Sequence, residues 1–164
     1  MKYLIKSLTV IFLATLMSCG GGDEKKEKKQ VKIGGANKEV VKKKKATNGV
    51  VIDLNNKGVG PVKNVDLPET IDQAMVAAGA ELYKIKCMAC HKVDKKFIGP
   101  APTGVLERRS PEWIMNMILD PEGMVQNDPI AKALMIEYNG SPMANQSLTE
   151  TEARSILEYF RTLK

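Results

Sequence analysis

The chain has 164 residues, enough for one ordinary domain and too few for a many-domain machine. Twenty-five Lys and Arg against 19 Asp and Glu give a formal charge of +6, which raises nucleic acid or an anionic surface as a partner. The charge is uneven, however: residues 23–46 hold ten Lys and four acids, while residues 47–164 hold 13 basic and 15 acidic residues, and a nucleic-acid-binding domain would carry its basic face on the folded part.

In chain order, Lys2 and Lys6 precede an apolar run from Leu8 to Met17. That run is too short for the roughly 20 residues of a spanning helix and has the form of an export signal. Its end, Leu16-Met17-Ser18-Cys19, resembles a bacterial lipobox, and the resemblance implies cleavage after residue 18 and acylation of Cys19. Gly20-Gly21-Gly22 and a Lys-rich tract without aromatic residues follow, to about residue 48. Such a composition cannot bury enough apolar surface to fold, so a disordered tether is expected, reaching on the order of 30 Å as a coil. The block Lys42–Lys45 is read as solvated, with anionic lipid or an acidic partner as the alternative. Residues 49–69 alternate weakly, with turn chemistry at Asn55-Asn56-Lys57-Gly58, and predict a short hairpin or an extended arm lying on the domain.

From residue 70 the pattern is helical. Thr70 with Gln73 reads as a capping box opening a helix to about Lys86. Ser110-Pro111-Glu112 supplies an N-cap, a proline at the first helical position and an acid in the first turn, for a helix ending at Asp120-Pro121. A shorter helix is expected over residues 129–138, and Thr149 with Glu152 opens a final one holding Ile156, Leu157, Phe160 and Leu163. Strand-like stretches are almost absent after residue 62. The fold class expected is all-α.

Cys87-Met88-Ala89-Cys90-His91 closes the first of these helices. Cys-x-x-Cys-His is the haem c attachment pattern. Two thiols one helical turn apart can add to the two vinyl groups of one porphyrin, and the adjacent His then lies under the iron. His91 is the only histidine in the chain. Three other readings use the same residues. A zinc site wants four ligands, and no further Cys or His remains once Cys19 is lipidated. A thiol-disulfide oxidoreductase places Cys-x-x-Cys near the start of a helix in an α/β fold. A structural disulfide leaves His91 unexplained.

These features together resemble the class I monohaem cytochromes c, over roughly residues 70–164. Gly79-Ala80-Glu81-Leu82-Tyr83 is similar to that family's N-terminal helix, and Ile156-Leu157-Glu158-Tyr159-Phe160 to its C-terminal helix. The resemblance implies a small helical fold around one covalent haem c, with Gly79 packed near Tyr159. Gly99-Pro100 is similar to the family's Gly-Pro turn, which implies that the Pro100 carbonyl accepts a hydrogen bond from the His91 ring. Ala101-Pro102-Thr103 follow where the family usually has a leucine two residues past the proline.

With no second histidine, the sixth iron position falls to a methionine, to an exogenous ligand or to nothing. Of nine Met, Met143 in Asn139-Gly140-Ser141-Pro142-Met143-Ala144-Asn145 stands in a loop that resembles the family's ligand loop; Met135 and Met124 are the alternatives. The four-helix high-spin cytochromes carry their haem motif near the C-terminus, unlike this chain. His/Met ligation would raise the potential and leave no open site, so an electron carrier is expected rather than an enzyme. Lys84, Lys86, Lys92, Lys95 and Lys96 surround the motif with Asp94 the only acid between 84 and 96, either as a docking collar or as ordinary solvated lysines.

The functional expectation is a monomeric, lipid-anchored shuttle on the periplasmic side of the inner or outer membrane of a Gram-negative bacterium. It would take electrons from a quinol-oxidising complex and deliver them to a terminal reductase or oxidase. The alternatives are a permanent haem subunit of one oxidoreductase complex and a Cys-x-x-Cys thiol redox protein.

Overall fold

A computed structural model describes residues 46–47 and 50–164. The signal, Cys19 and nearly all of the Lys-rich tract lie outside the described residues. All of the described residues belong to one unit spanning Val41–Lys164.

Five α-helices make up the fold: α1 (Gln73–Lys86), α2 (Pro111–Leu119), α3 (Pro121–Asn127), α4 (Pro129–Glu137) and α5 (Glu150–Arg161). The all-α expectation holds. The strands described are two residues each, β1 (Ala46–Thr47) and β2 (Val50–Val51), paired antiparallel.

Helix α1 begins two residues later than expected. Asp72, not Thr70, is its N-cap, and the Asp72 carboxylate accepts from the Ala74 and Met75 N–H groups at 2.9 and 3.0 Å. A carboxylate satisfies two orphan donors and also meets the positive end of the helix dipole, which a threonine hydroxyl cannot do. Gln73 is therefore not the far side of a capping box, and its amide donates to the Ile71 carbonyl instead.

Helix α3 and a 3-10 turn at Val105–Glu107 were not expected. Asp120-Pro121-Glu122 repeats the Ser110-Pro111-Glu112 pattern, so the residue that ends α2 also caps α3, accepting from the Gly123 N–H at 3.0 Å. Asp128-Pro129 does the same for α4. Thr149 and Glu152 form the capping box expected for α5.

The principal helix contact is α1 against α5. At Gly79 an added Cβ would lie 2.0 Å from the Ser155 carbonyl oxygen, so only glycine lets the two backbones meet there. The expected partner, Tyr159, lies one turn further along α5 and packs on Tyr83, ring centroids 5.5 Å apart; Phe160 meets Tyr83 edge-on at 5.7 Å. Fully buried Ile156 and Leu157, with Trp113, Ile114 and Ile118 of α2 and Met124 of α3, complete the core. Each such side chain contributes roughly 1.5–3 kcal/mol of burial.

The segment before α1 is an extended arm, and β2 pairs with β1 rather than across the Asn55–Gly58 turn. The arm belongs to the core, since Val62 is buried in it. Asn116, 1% exposed, donates to the Lys57 and Val62 carbonyls at 3.0 and 2.9 Å and accepts from the Val62 N–H at 2.9 Å. Asn56 donates to Asp128 at 2.6 Å, and Trp113 donates to the same carboxylate at 3.1 Å. At the other end Glu158, 1% exposed, pairs with Arg154 and Arg161 at 2.8 and 2.7 Å, and Arg161 donates to the Pro68 carbonyl at 2.5 Å. A buried carboxylate is tolerable only when paired in this way.

Candidate functional site

Residues 87–91 extend α1 by one tight turn: the Cys87 N–H donates to the Tyr83 carbonyl and the His91 N–H to the Cys87 carbonyl, both at 2.9 Å. Tyr83 then locks that turn from beneath, its hydroxyl donating to the His91 carbonyl at 2.8 Å. Burial first, then Cys87 and Tyr159, push the Tyr83 phenol above its ordinary range, so it remains a donor.

His91 Nδ1 lies 2.8 Å from the Pro100 carbonyl oxygen. A carbonyl can only accept, so Nδ1 carries the proton and Nε2 keeps its lone pair for a metal. The ring lies against Gly99, where an added Cβ would come within 2.4 Å of His91 Cε1. Arg108 braces the same loop by donating to the Ala101 and Thr103 carbonyls at 3.1 and 3.0 Å. Pro102 stands where the family leucine is absent, and the next residue, Thr103, donates from its hydroxyl to the Val93 carbonyl at 2.6 Å.

Cys87, Cys90, His91 and Met143 all border one cavity of about 520 Å³ whose walls are mainly apolar. Met135 and Met117 border it as well. Met124 is fully buried in the core, where its sulfur accepts from the Val59 N–H at 3.0 Å, which removes it as a candidate ligand. Met117, Tyr83 and Arg108 escaped the sequence reading, because a core residue and a site residue share the same helical period.

Two other observations bear on what the cavity can hold. Arg109, 4% exposed, borders it and leaves Nε buried without a hydrogen-bond partner. A buried guanidinium donor of this kind suits a ligand that brings an anionic oxygen. Cys87 and Cys90 are not joined to one another by a disulfide, and burial, reinforced by Cys90, pushes the Cys87 thiol up to about 11. A catalytic thiol of an oxidoreductase is shifted the other way. Among the described residues no group of three or more His, Cys, Asp and Glu is placed to hold a metal ion by itself.

The lysines expected as a collar are of two kinds. Lys86, Lys95 and Lys96 border the cavity. Lys84 lies 4.0 Å from Glu81, and Lys92 stands over the Phe97 ring at 5.0 Å. Ile85, Met88, Phe97 and Ile98 are exposed among them.

The family model described as Cytochrome c matches residues 76–164. Cytochrome c-551 of Ectopseudomonas mendocina is 34% identical over 89 residues, covering 54% of this chain and all of the relative. Cytochrome c-551 of Pseudomonas denitrificans is 31% identical over 96 residues, with the same coverage of both. Among solved structures, cytochrome c from Rhodothermus marinus is similar with a TM-score of 0.61 and 48% identity, over 63% of this chain and 89% of that one.

Proposed function

The chain belongs to the cytochrome c family, an electron-transfer family with covalent haem c, and from that premise we propose a lipid-tethered electron carrier whose haem is held by Cys87 and Cys90 as thioethers and by His91 and Met143 as axial ligands. The observation that carries this reading is the convergence of those four side chains on one apolar cavity, with the His91 ring oriented through Nδ1 by Pro100. When bound, the haem supplies one-electron Fe(III)/Fe(II) chemistry at a potential raised by a thioether ligand.

The protein's own groups do the rest. Tyr83 and Pro100 fix the position and tautomer of His91, and Gly99 leaves room for its ring. Arg109 would meet a haem carboxylate with its buried, unpartnered Nε. The apolar walls exclude water from the iron and leave less reorganisation to accompany electron transfer. Were His91 and Met143 both to hold the iron, no open position would be left for a substrate, which supports a carrier rather than an enzyme.

Protein matured in a bacterial periplasm is expected to show Soret and α bands that survive acid-acetone extraction, because the haem is covalent. Pigment lost to the organic phase would end the reading.

The lysines beside the cavity and the exposed apolar side chains among them suit transient docking of an acidic redox partner. We take the donor to be a quinol-oxidising complex and the acceptor a terminal reductase or oxidase, met by a monomer on the periplasmic side. Anchorage is assigned to Cys19 on the lipobox-like Leu16-Met17-Ser18-Cys19; among the described residues no helix is long and apolar enough to cross a membrane. Replacing residues 1–19 with a cleavable export signal that lacks the cysteine is expected to move the protein from the membrane fraction to the soluble one on fractionation, with its spectrum unchanged; retention on the membrane would rule the lipid out as the anchor.

A further inference from the structure

Lys96 lies in the loop that follows His91, but its ammonium engages a segment 41 residues away. Its Nζ is 3.5 Å from the Glu137 carboxylate, donates to the Glu137 backbone carbonyl at 3.4 Å, and stands 4.3 Å from the centre of the Tyr138 ring. Glu137 is the last residue of α4 and Tyr138 its C-cap. The ammonium therefore meets a carboxylate, the negative end of a helix dipole and the face of an aromatic ring together. Lys96, Glu137 and Tyr138 all border the haem cavity.

The segment beyond Tyr138 presents Met143. The chain reverses through Asn139 and Gly140, at φ 60° and 72°, closed by the Gly140 N–H donating to the Met135 carbonyl at 2.8 Å. From there to the cap of α5 the loop is thinly held. Among the described residues, the one hydrogen bond from 142–148 to another segment runs from Asn145 to the Leu119 carbonyl, at 3.2 Å. The loop's position is thus set mainly at its two ends. The capping box of α5 secures one end, and Lys96 grips the helix end at the other.

We propose that Lys96 is a positioning residue for Met143, a latch joining the His91 loop to the end of α4 so that the ligand loop stays closed over the iron; this rests on Met143 as sixth ligand. Each contact is weak at an exposed site, but all three converge on one charge. Without that charge, a larger fraction of molecules has Met143 off the iron. An exogenous ligand gains apparent affinity in proportion to that fraction.

The test is an imidazole titration of the ferric, full-length holoprotein, read by loss of the far-red Met–iron charge-transfer band. Lys96→Met is expected to bind imidazole about three- to tenfold more tightly than wild type. Lys96→Arg, which keeps the charge and the ring contact, is expected to stay near wild type. Tyr138→Leu should weaken the latch, and Lys96→Met added to it should have less effect than alone. Wild-type affinity in Lys96→Met overturns the latch, as does Lys96→Arg behaving like Lys96→Met. If ferric wild type lacks the far-red band and binds imidazole as tightly as Met143→Ala, the ligand assignment falls and the latch with it. A band present in wild type and lost in Met143→Ala leaves the assignment standing whatever Lys96 does.

Discussion

Met143→Ala is expected to abolish the far-red charge-transfer band and to lower the reduction potential by a few hundred millivolts, an order of magnitude drawn from the ~0.8 V over which axial ligands move haem potentials. The sulfur favours ferrous iron because a thioether is a weak donor; water or another replacement donor stabilises ferric iron instead. Met143 and His91 border the same cavity, so the variant changes one ligand without touching the orientation of the other, which is held by Pro100 and Tyr83. Spectroelectrochemical titration of both proteins decides the matter. A potential within a few tens of millivolts of wild type, with the band retained, would assign the ligation to Met135 or Met117, the other methionines bordering that cavity.

Gly79→Ala is expected to destabilise the holoprotein by about 3 kcal/mol or more, the scale of a severe overpacking. The added carbon would stand 2.0 Å from the Ser155 carbonyl and 2.9 Å from the Ile156 nitrogen, both backbone atoms that cannot rotate away. Helix propensity alone predicts the opposite sign, a gain of about 1 kcal/mol for alanine over glycine inside a helix. The sign of the change therefore separates the two effects. Guanidinium unfolding followed by Soret absorbance and far-UV circular dichroism measures it, and a midpoint at or above wild type would refute close packing at this crossing. Because α1 also carries Tyr83 and ends in Cys87, displacement of the helix should disturb the His91 environment as well.

Helix ends were legible wherever a short polar residue and a proline met. Ser110-Pro111 and Thr149 with Glu152 behave as read, because capping is a contest among a few neighbouring groups. The same local rule misplaced the start of α1, where Asp72 outcompetes Thr70, and it passed over α3, where Asp120-Pro121 both ends one helix and opens the next. The arm was the least legible element. Its hydrophobic alternation left a short hairpin and an extended arm equally open, and its hydrogen bonds go to Asn116, Asp128, Arg109 and Arg161, residues far along the chain. No local pattern records such pairings.

The haem attachment pattern was legible in five consecutive residues, since a thioether pair and its adjacent histidine need only one helical turn to assemble, and the readings of an export signal and a tether likewise rest on local composition alone. Which methionines border the cavity, why Gly79 must be a glycine, what holds His91 in one tautomer and where the Lys96 charge goes were decided by tertiary structure. Each depends on groups brought together from separate segments, and the free energy of such contacts exists only once the helices have packed.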